Sequence, residues 1–213
     1  MLKIFYFLLT VFRIIKYLFS NTKRYSHILI EIILTKPKSI IEIGVYKGKR
    51  SKEILQAALI FNSDIEYYGF DLFELIDDDI IKKELSKKPL SEKEIKLLLS
   101  RYGKIKLYKG YTNNTLRKVK NVKADFIFID GGHTVKTIKS DWKNSIKFTK
   151  KNTIIIFDDY YVDDKKLIKK FGCNLIIKSI PKKIFVKKLY FFKDTFLYQG
   201  KNLNIKMFKL KKR

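Results

Sequence analysis

Two apolar runs that each stop at carboxylates constrain this chain more than any other feature. Residues 126–129 (FIFI) end at Asp130, and residues 154–157 (IIIF) end at Asp158 and Asp159. Between them Val135, Ile138, Trp142, Ile146 and Phe148 recur at helical spacing. Short apolar runs bracketing an amphipathic stretch predict strand, helix, strand, with both strands buried in a parallel sheet. Parallel strands put their C-terminal ends on one edge, and open α/β sheets bind ligands there. Asp130, Asp158, Asp159 and His133 are therefore expected to meet.

Three carboxylates in one place repel unless a cation neutralises them. A hard divalent ion such as Mg²⁺ suits them, because it prefers carboxylate and water oxygens. Any one strand-end Asp is as well explained as the N-cap of the next helix. An Asp on one strand and an Asp-Asp pair on its parallel neighbour weigh toward a metal site.

The chain has 213 residues, 46% of them hydrophobic, with 9 Gly and 3 Pro. That is enough apolar material for one folded domain and unlike a disordered chain. A single cysteine, Cys173, excludes an internal disulfide and a Cys-rich zinc site, and fits a cytoplasmic protein. The net charge of +26 favours contact with anionic lipid or nucleic acid. Arginine, which specific phosphate and base readout prefers, occurs only at positions 13, 24, 50, 101, 117 and 213. The charge is thus read mainly as a solvated lysine surface and only weakly as a nucleic-acid signal.

Residues 1–20 place Lys3, Thr10, Arg13, Tyr17 and Ser20 near one helical face, with Lys16 beside them. Phe5, Leu8, Phe12, Ile15 and Phe19 fall on the other. Arg13 and Lys16 interrupt any membrane span, and no A-x-A-like cleavage site follows. Two readings stand: an interfacial helix on the inner, anionic face of a membrane, or a helix packed on the domain or on a second subunit. Residues 26–35 read as a second helix, closed before Pro37, with His27 a surface or packed histidine.

Residues 39–43 form a short apolar strand that runs into a loop with Gly44 and Gly48, and 52–61 read as a helix. Strand, glycine loop and helix bring backbone and a helix N-terminus to a ligand. A strand at 65–70 ends at Asp71, where an acid can hold ribose hydroxyls. Residues 72–103 are a charged insertion with helices at 78–85 and 91–101, Pro89 between them, and a capping box from Ser91 and Glu94. Its acid run, Glu74 and Asp77 to Asp79, reads as a solvated helix start; a lid over the site is the alternative. A strand at 105–108 precedes a loop at 110–114. Residues 163–171 read as a helix, 174–179 and 204–210 as late strands, and 209–213 as a basic tail.

Taken together, these residues resemble class I S-adenosylmethionine-dependent methyltransferases, and in particular the metal-dependent sugar O-methyltransferases of macrolide and aminocoumarin biosynthesis. IEIGVYKGKRS resembles the first motif, YYGFDLFE the second, YKGYTNNTL the adenine-side loop, and FIFIDGGHT and IIIFDDYY the metal-binding segments. The resemblance implies an α/β, doubly wound Rossmann-like fold with a mostly parallel seven-stranded sheet and an antiparallel closing strand. It divides the chain into an N-terminal helical segment, 1–36, and a methyltransferase domain, 37–213. It implies that Glu42, Gly44, Tyr46 and Gly48 approach the cofactor's methionine, that Asp71 holds the ribose, and that Gly110, Tyr111 and Thr112 lie beside the adenine. Asp130, Asp158 and Asp159 would bind Mg²⁺.

The sugar methyltransferases carry an acid, proposed as general base, two residues after the first metal Asp. Here that position is Gly132, followed by His133. Either His133 is the base, or a metal-bound hydroxyl deprotonates without one, or the acceptor differs; His133 is otherwise a structural residue capping the next helix. The Asn/Asp-Pro-Pro-aromatic signature of amino-group methyltransferases is absent, which favours oxygen as the acceptor atom. The expected activity is O-methylation of a hydroxyl-bearing small molecule or glycan, in a chain that could form a homo-oligomer. Two alternatives differ in class. A nucleic-acid-binding or RNA-modifying protein would gather its lysines at the cofactor mouth. A catalytically silent, membrane-associated member would bind cofactor without turnover.

Overall fold

The structure, a computed structural model, describes residues 1–162, 164–198 and 200–213. Five strands run parallel: β1 (Ser39–Ile43), β2 (Glu66–Asp71), β3 (Lys104–Lys109), β4 (Ala124–Ile129) and β5 (Thr149–Tyr161). β6 (Phe185–Tyr198) and β7 (Lys201–Lys212) complete the sheet, and β7 runs antiparallel between β5 and β6. The order is β3-β2-β1-β4-β5-β7-β6, the doubly wound arrangement expected, with one reversed strand.

The order reverses between β1 and β4, so a crevice opens at their C-terminal ends. Register levels that edge. Ile43 lies opposite Phe70 and Ile129, and Ile129 lies opposite Phe157. Gly44, Asp71, Asp130 and Asp158 each follow one of these four residues, so the row of polar positions is set by sheet pairing.

Helices cover both faces, and the strands alternate between them. Phe126, Phe128, Ile154 and Ile156 join the core under α2 (Ser26–Thr35), α3 (Lys49–Ala58) and α5 (Glu92–Leu99). Ile127, Ile129, Ile155 and Phe157 join the opposite core, under α6 (Thr112–Lys118), α7 (Val135–Ser145) and α8 (Asn174–Ser179). The first helix, α1 (Leu2–Leu18), is joined to α2 through a 3₁₀ turn, Lys23–Tyr25. α4 (Asp78–Glu84) and α5 form the insertion, and Ser91 and Glu94 make the expected capping box.

Several elements differ from expectation. β5 does not stop at Asp158; it bulges between Phe157 and Tyr160 and resumes pairing with β7. α3 starts at Lys49 because Gly48, in a left-handed conformation, caps it. The expected loop at 110–114 contains the start of α6. The segment 174–179 is a helix, because Cys173, Ile176, Ile177 and Ile180 are buried at helical spacing. The sixth strand is instead 185–198, an edge strand whose lysines disguise it. Of the helix expected at 163–171, position 163 lies outside the described residues, and only a 3₁₀ turn, Leu167–Lys169, forms beyond it.

Candidate active site

The glycine loop after β1 crosses the loop after β4 at close range. Gly44 has φ +91°, and a Cβ there would stand 2.0 Å from the Asp130 carbonyl oxygen. Only glycine permits that approach. Asp71 holds the same loop from the other side. One of its oxygens accepts the N–H groups of Val45 and Tyr46, each at 2.8 Å, and the other accepts Phe73 N–H at 3.0 Å. A carboxylate offers about four acceptor sites, so Asp71 keeps capacity for one more donor.

Gly44, Tyr46 and Asp71 line a cleft of about 380 Å³ together with Gly110, Tyr111, Thr112, Asp130, His133 and the insertion's Ile80, Glu84 and Leu85. The insertion thus walls the site. Glu42 and Gly48, expected against the cofactor, are not among the residues lining the cleft. Glu42 is buried and takes the Tyr67 hydroxyl; burial pushes its carboxyl up to about 7, against the hydrogen bonds it accepts. A Cβ on Gly48 would meet Leu98 and Ile95.

At the metal-like end the three aspartates divide. Arg24, from the turn after α1, binds both oxygens of Asp158 at 2.7 and 2.8 Å and also takes Asp194 of β6. Burial alone would raise the Asp158 carboxyl, but the Arg24 charge and hydrogen bonds outweigh it and hold it low. The expected triad is therefore corrected: a protein cation already neutralises Asp158. Asp130, Asp159 and His133 form the cluster instead, with ligand atoms all within 4.8 Å of one another. Burial, with Asp158 and Asp159 adjacent, pushes the Asp130 carboxyl well up. Burial also raises Asp159, against the pull of His133. Asp159 sits in the β5 bulge at φ +57°, a costly backbone for a non-glycine residue that aims its carboxylate at the site.

His133 is oriented by a residue that nothing in the sequence singled out. The backbone carbonyl of Glu84 meets Nδ1. A carbonyl only accepts, so Nδ1 carries the proton and Nε2 turns toward Asp159, 3.3 Å away. Burial disfavours the imidazolium, but Asp159 and the Glu84 carbonyl outweigh it and raise its proton affinity. The Glu84 side chain accepts Thr134 N–H at 2.8 Å and the Thr137 hydroxyl at 2.7 Å, fastening α4 to the start of α7. Asp141, another residue missed, takes the Thr112 hydroxyl and lines the cleft; burial lifts its carboxyl to about 7.

His133, Leu85 and Ser86 also wall a second cavity of about 410 Å³, bounded by Asp159, Tyr161, Phe196 and Leu203. Among the described residues, Lys87 is the one lysine lining the first cleft, and the second is lined by no lysine and by one arginine, the paired Arg24. The lysines are not gathered in the lining of either cavity.

A family model described as a methyltransferase domain matches residues 41–160, more than half of the chain. No curated protein matches the sequence. Solved structures share the fold at low identity. An O-methyltransferase from Bacillus cereus, in complex with SAH, is 14% identical with a TM-score of 0.58, over 91% of this chain and 82% of its own. The O-methyltransferase TomG from Streptomyces achromogenes, involved in tomaymycin synthesis and solved with SAM, is 10% identical with a TM-score of 0.59, over 90% and 81%. The N-methyltransferase NodS from Bradyrhizobium japonicum, solved with S-adenosyl-L-homocysteine, is 9% identical with a TM-score of 0.57, over 89% and 86%. The same fold thus serves oxygen and nitrogen acceptors, and the acceptor must be argued from the site.

Proposed function

The chain belongs to the methyltransferase-domain family, and from that premise we propose that it methylates a hydroxyl of a small molecule or glycan with S-adenosylmethionine, assisted by a divalent cation such as Mg²⁺. The observation that carries this reading is the orientation of His133, whose Nδ1 is held by the Glu84 carbonyl while Nε2 faces Asp159. His133 stands in the wall common to both cavities. We assign the first cleft to the cofactor and the second to the acceptor.

The residues fit both groups. Gly44 lets the β1 loop close on the cleft, Asp71 retains acceptor capacity for a ribose hydroxyl, and Tyr111 and Thr112 border the far end. Asp130 and Asp159 offer hard oxygens on one side of the cluster, and Mg²⁺ commonly uses one or two carboxylates plus water and substrate oxygens. When bound, the cation would lower the acceptor hydroxyl's pKa and orient it. Arg24 already pairs with Asp158 and so offsets one of the two acids of the bulge.

His133, with its tautomer fixed, takes the hydroxyl proton at Nε2. The bound cofactor would supply the sulfonium-bound methyl to that oxygen, the C–S bond breaking so that S-adenosylhomocysteine leaves, and much of the rate would come from holding the two partners at the wall that contains His133. The apolar parts of the second cavity, Leu85, Leu167, Phe196, Leu203 and Ile205, exclude water and suit an acceptor with an apolar body. The absent amino-group signature supports oxygen as the atom methylated.

The test combines calorimetry with S-adenosylmethionine and methyl-transfer assays over a hydroxyl-acceptor panel, with and without chelator. Cofactor binding is expected, together with activity that falls at least about a hundredfold in chelator and in Asp130→Asn or Asp159→Asn. A protein that binds no cofactor sinks the proposal, and full activity in chelator sinks the role of the cation.

A further inference from the structure

α1 is mounted with its apolar face outward. Its buried residues are Tyr6, Thr10 and Tyr17, which share one side of the helix. The Tyr17 hydroxyl donates to Glu53 of α3 at 2.7 Å, and the Arg50 guanidinium lies 4.8 Å above its ring. The opposite side carries Phe5, Leu8, Phe12, Ile15 and Phe19, exposed by 57%, 61%, 61%, 49% and 88%. A helix that stabilised the domain by hydrophobic packing would turn that side inward. Here the polar, aromatic side makes the contacts. Five large apolar side chains stay in water and forgo the stabilisation that burial would contribute.

Charge identifies what covers them. Residues 1–30 contain no Asp or Glu. The first acid, Glu31, is buried and paired with Lys209. Lys3, Lys16 and Lys23 are exposed on or just beyond α1. An apolar strip with unopposed lysines complements anionic headgroups lying over acyl chains. A second copy of this chain would instead bring two bodies of charge +26 together. The helix has 17 residues, about 26 Å at 1.5 Å each, against the ~30 Å of a hydrocarbon core. No described helix is long and apolar enough to cross a membrane.

We propose that α1 lies in the plane of an anionic membrane surface, with Phe5, Leu8, Phe12, Ile15 and Phe19 in the lipid, and holds the methyltransferase domain against it. This surface is independent of the catalytic reading. Its connection to the site is nonetheless direct, because the turn after α1 supplies Arg24 to Asp158 and places Tyr25 in the first cleft. A membrane-docked α1 and the catalytic edge are thus joined by one short, internally bonded segment.

The experiment is co-sedimentation of the full chain with phosphatidylcholine vesicles and with mixed phosphatidylcholine–phosphatidylglycerol vesicles, at low and high salt. It is repeated on the triple variant Leu8→Glu, Phe12→Glu, Ile15→Glu. These side chains are exposed in the structure, so circular dichroism and cofactor binding are expected to match the parent protein. That separates failure of this proposal from failure of the catalytic one. The parent protein is expected to bind anionic vesicles at least about tenfold more strongly than neutral ones, with salt and the triple variant each removing most of that binding. A parent protein that stays in the supernatant, or a triple variant that sediments equally well, overturns the proposal. A concentration-dependent dimer that the triple variant dissolves, without vesicle binding, would assign the strip to a second copy instead.

Discussion

Arg24 grips both carboxylate oxygens of Asp158 across 134 positions of sequence, Nε to Oδ1 at 2.7 Å and Nη2 to Oδ2 at 2.8 Å. Its remaining nitrogen takes Asp194. One cation from the N-terminal segment therefore ties β5 to β6 and cancels the charge of one acid in the bulge. The acids left lining the two cavities are Asp130 and Asp159.

Removing that cation leaves a buried carboxylate unpaired. Arg24→Met is expected to cost about 3–5 kcal/mol, the range for breaking a buried ion pair from one side. Urea unfolding checks this. The double variant Arg24→Met, Asp158→Asn should recover part of the loss, because it neutralises one of the two buried carboxylates that Arg24 pairs, leaving only Asp194 without the cation. Equal instability of the single and double variants would show that Arg24 acts through packing alone.

Asp71 is expected to serve the cofactor both directly and through the loop it holds. Asp71→Ala frees the N–H groups of Val45 and Tyr46 and removes the remaining acceptor site. Cofactor affinity should fall by about 1–3 kcal/mol, roughly 5- to 150-fold. Calorimetry reads this directly, and unchanged affinity would remove Asp71 from the binding site.

Glu42 gives stability a pH dependence of definite sign. Its carboxyl is raised from 4.5 to about 7 by burial, so the folded chain holds a proton that the unfolded chain releases. Its contribution is fully favourable below about pH 4.5 and is lost as pH rises through about 7. The loss approaches about 3 kcal/mol from this group. Glu42→Gln should flatten that part of the profile between pH 5 and 8 in thermal or urea unfolding. A slope unchanged by the substitution would mean that another group supplies it.

Much of the sheet edge was legible because its signals are local. Apolar runs fixed β1, β2, β4 and the core of β5, and their terminal acids, Asp71, Asp130, Asp158 and Asp159, mark where each run ends. What each acid meets was not legible. Arg24 looks like any other of the six arginines, and its pairing with Asp158 depends on how α1 and α2 dock on the sheet. Glu84 was equally hidden: its contribution to His133 comes from a backbone carbonyl, which any residue type supplies. Strand 185–198 was missed because an edge strand rich in lysine has no clean alternation. The segment 174–179 reads as strand or helix alike, because its apolar run is only three residues, Leu175 to Ile177. The amphipathicity of α1 was plain, but only the structure shows which side it turns to the domain.

His133 can be tested as base against ligand. With Nδ1 bound to the Glu84 carbonyl, Nε2 is the nitrogen left to take up a proton, and it faces Asp159 at 3.3 Å. A base removed from the reaction lowers turnover by about 10²–10⁴-fold and leaves cation binding to the two carboxylates. A ligand removed from a metal site weakens binding by about 10–100-fold or more. His133→Gln is therefore expected to lose turnover by about 10²-fold or more, with cation affinity, measured by calorimetry in the presence of cofactor, nearly unchanged. Urea unfolding of the same variant guards against a folding defect. If affinity falls with turnover, His133 belongs to the metal shell with Asp130 and Asp159, and the nitrogen donor would then favour a transition ion over Mg²⁺. If neither changes, the imidazole does no more than brace the start of α7 against the Glu84 carbonyl.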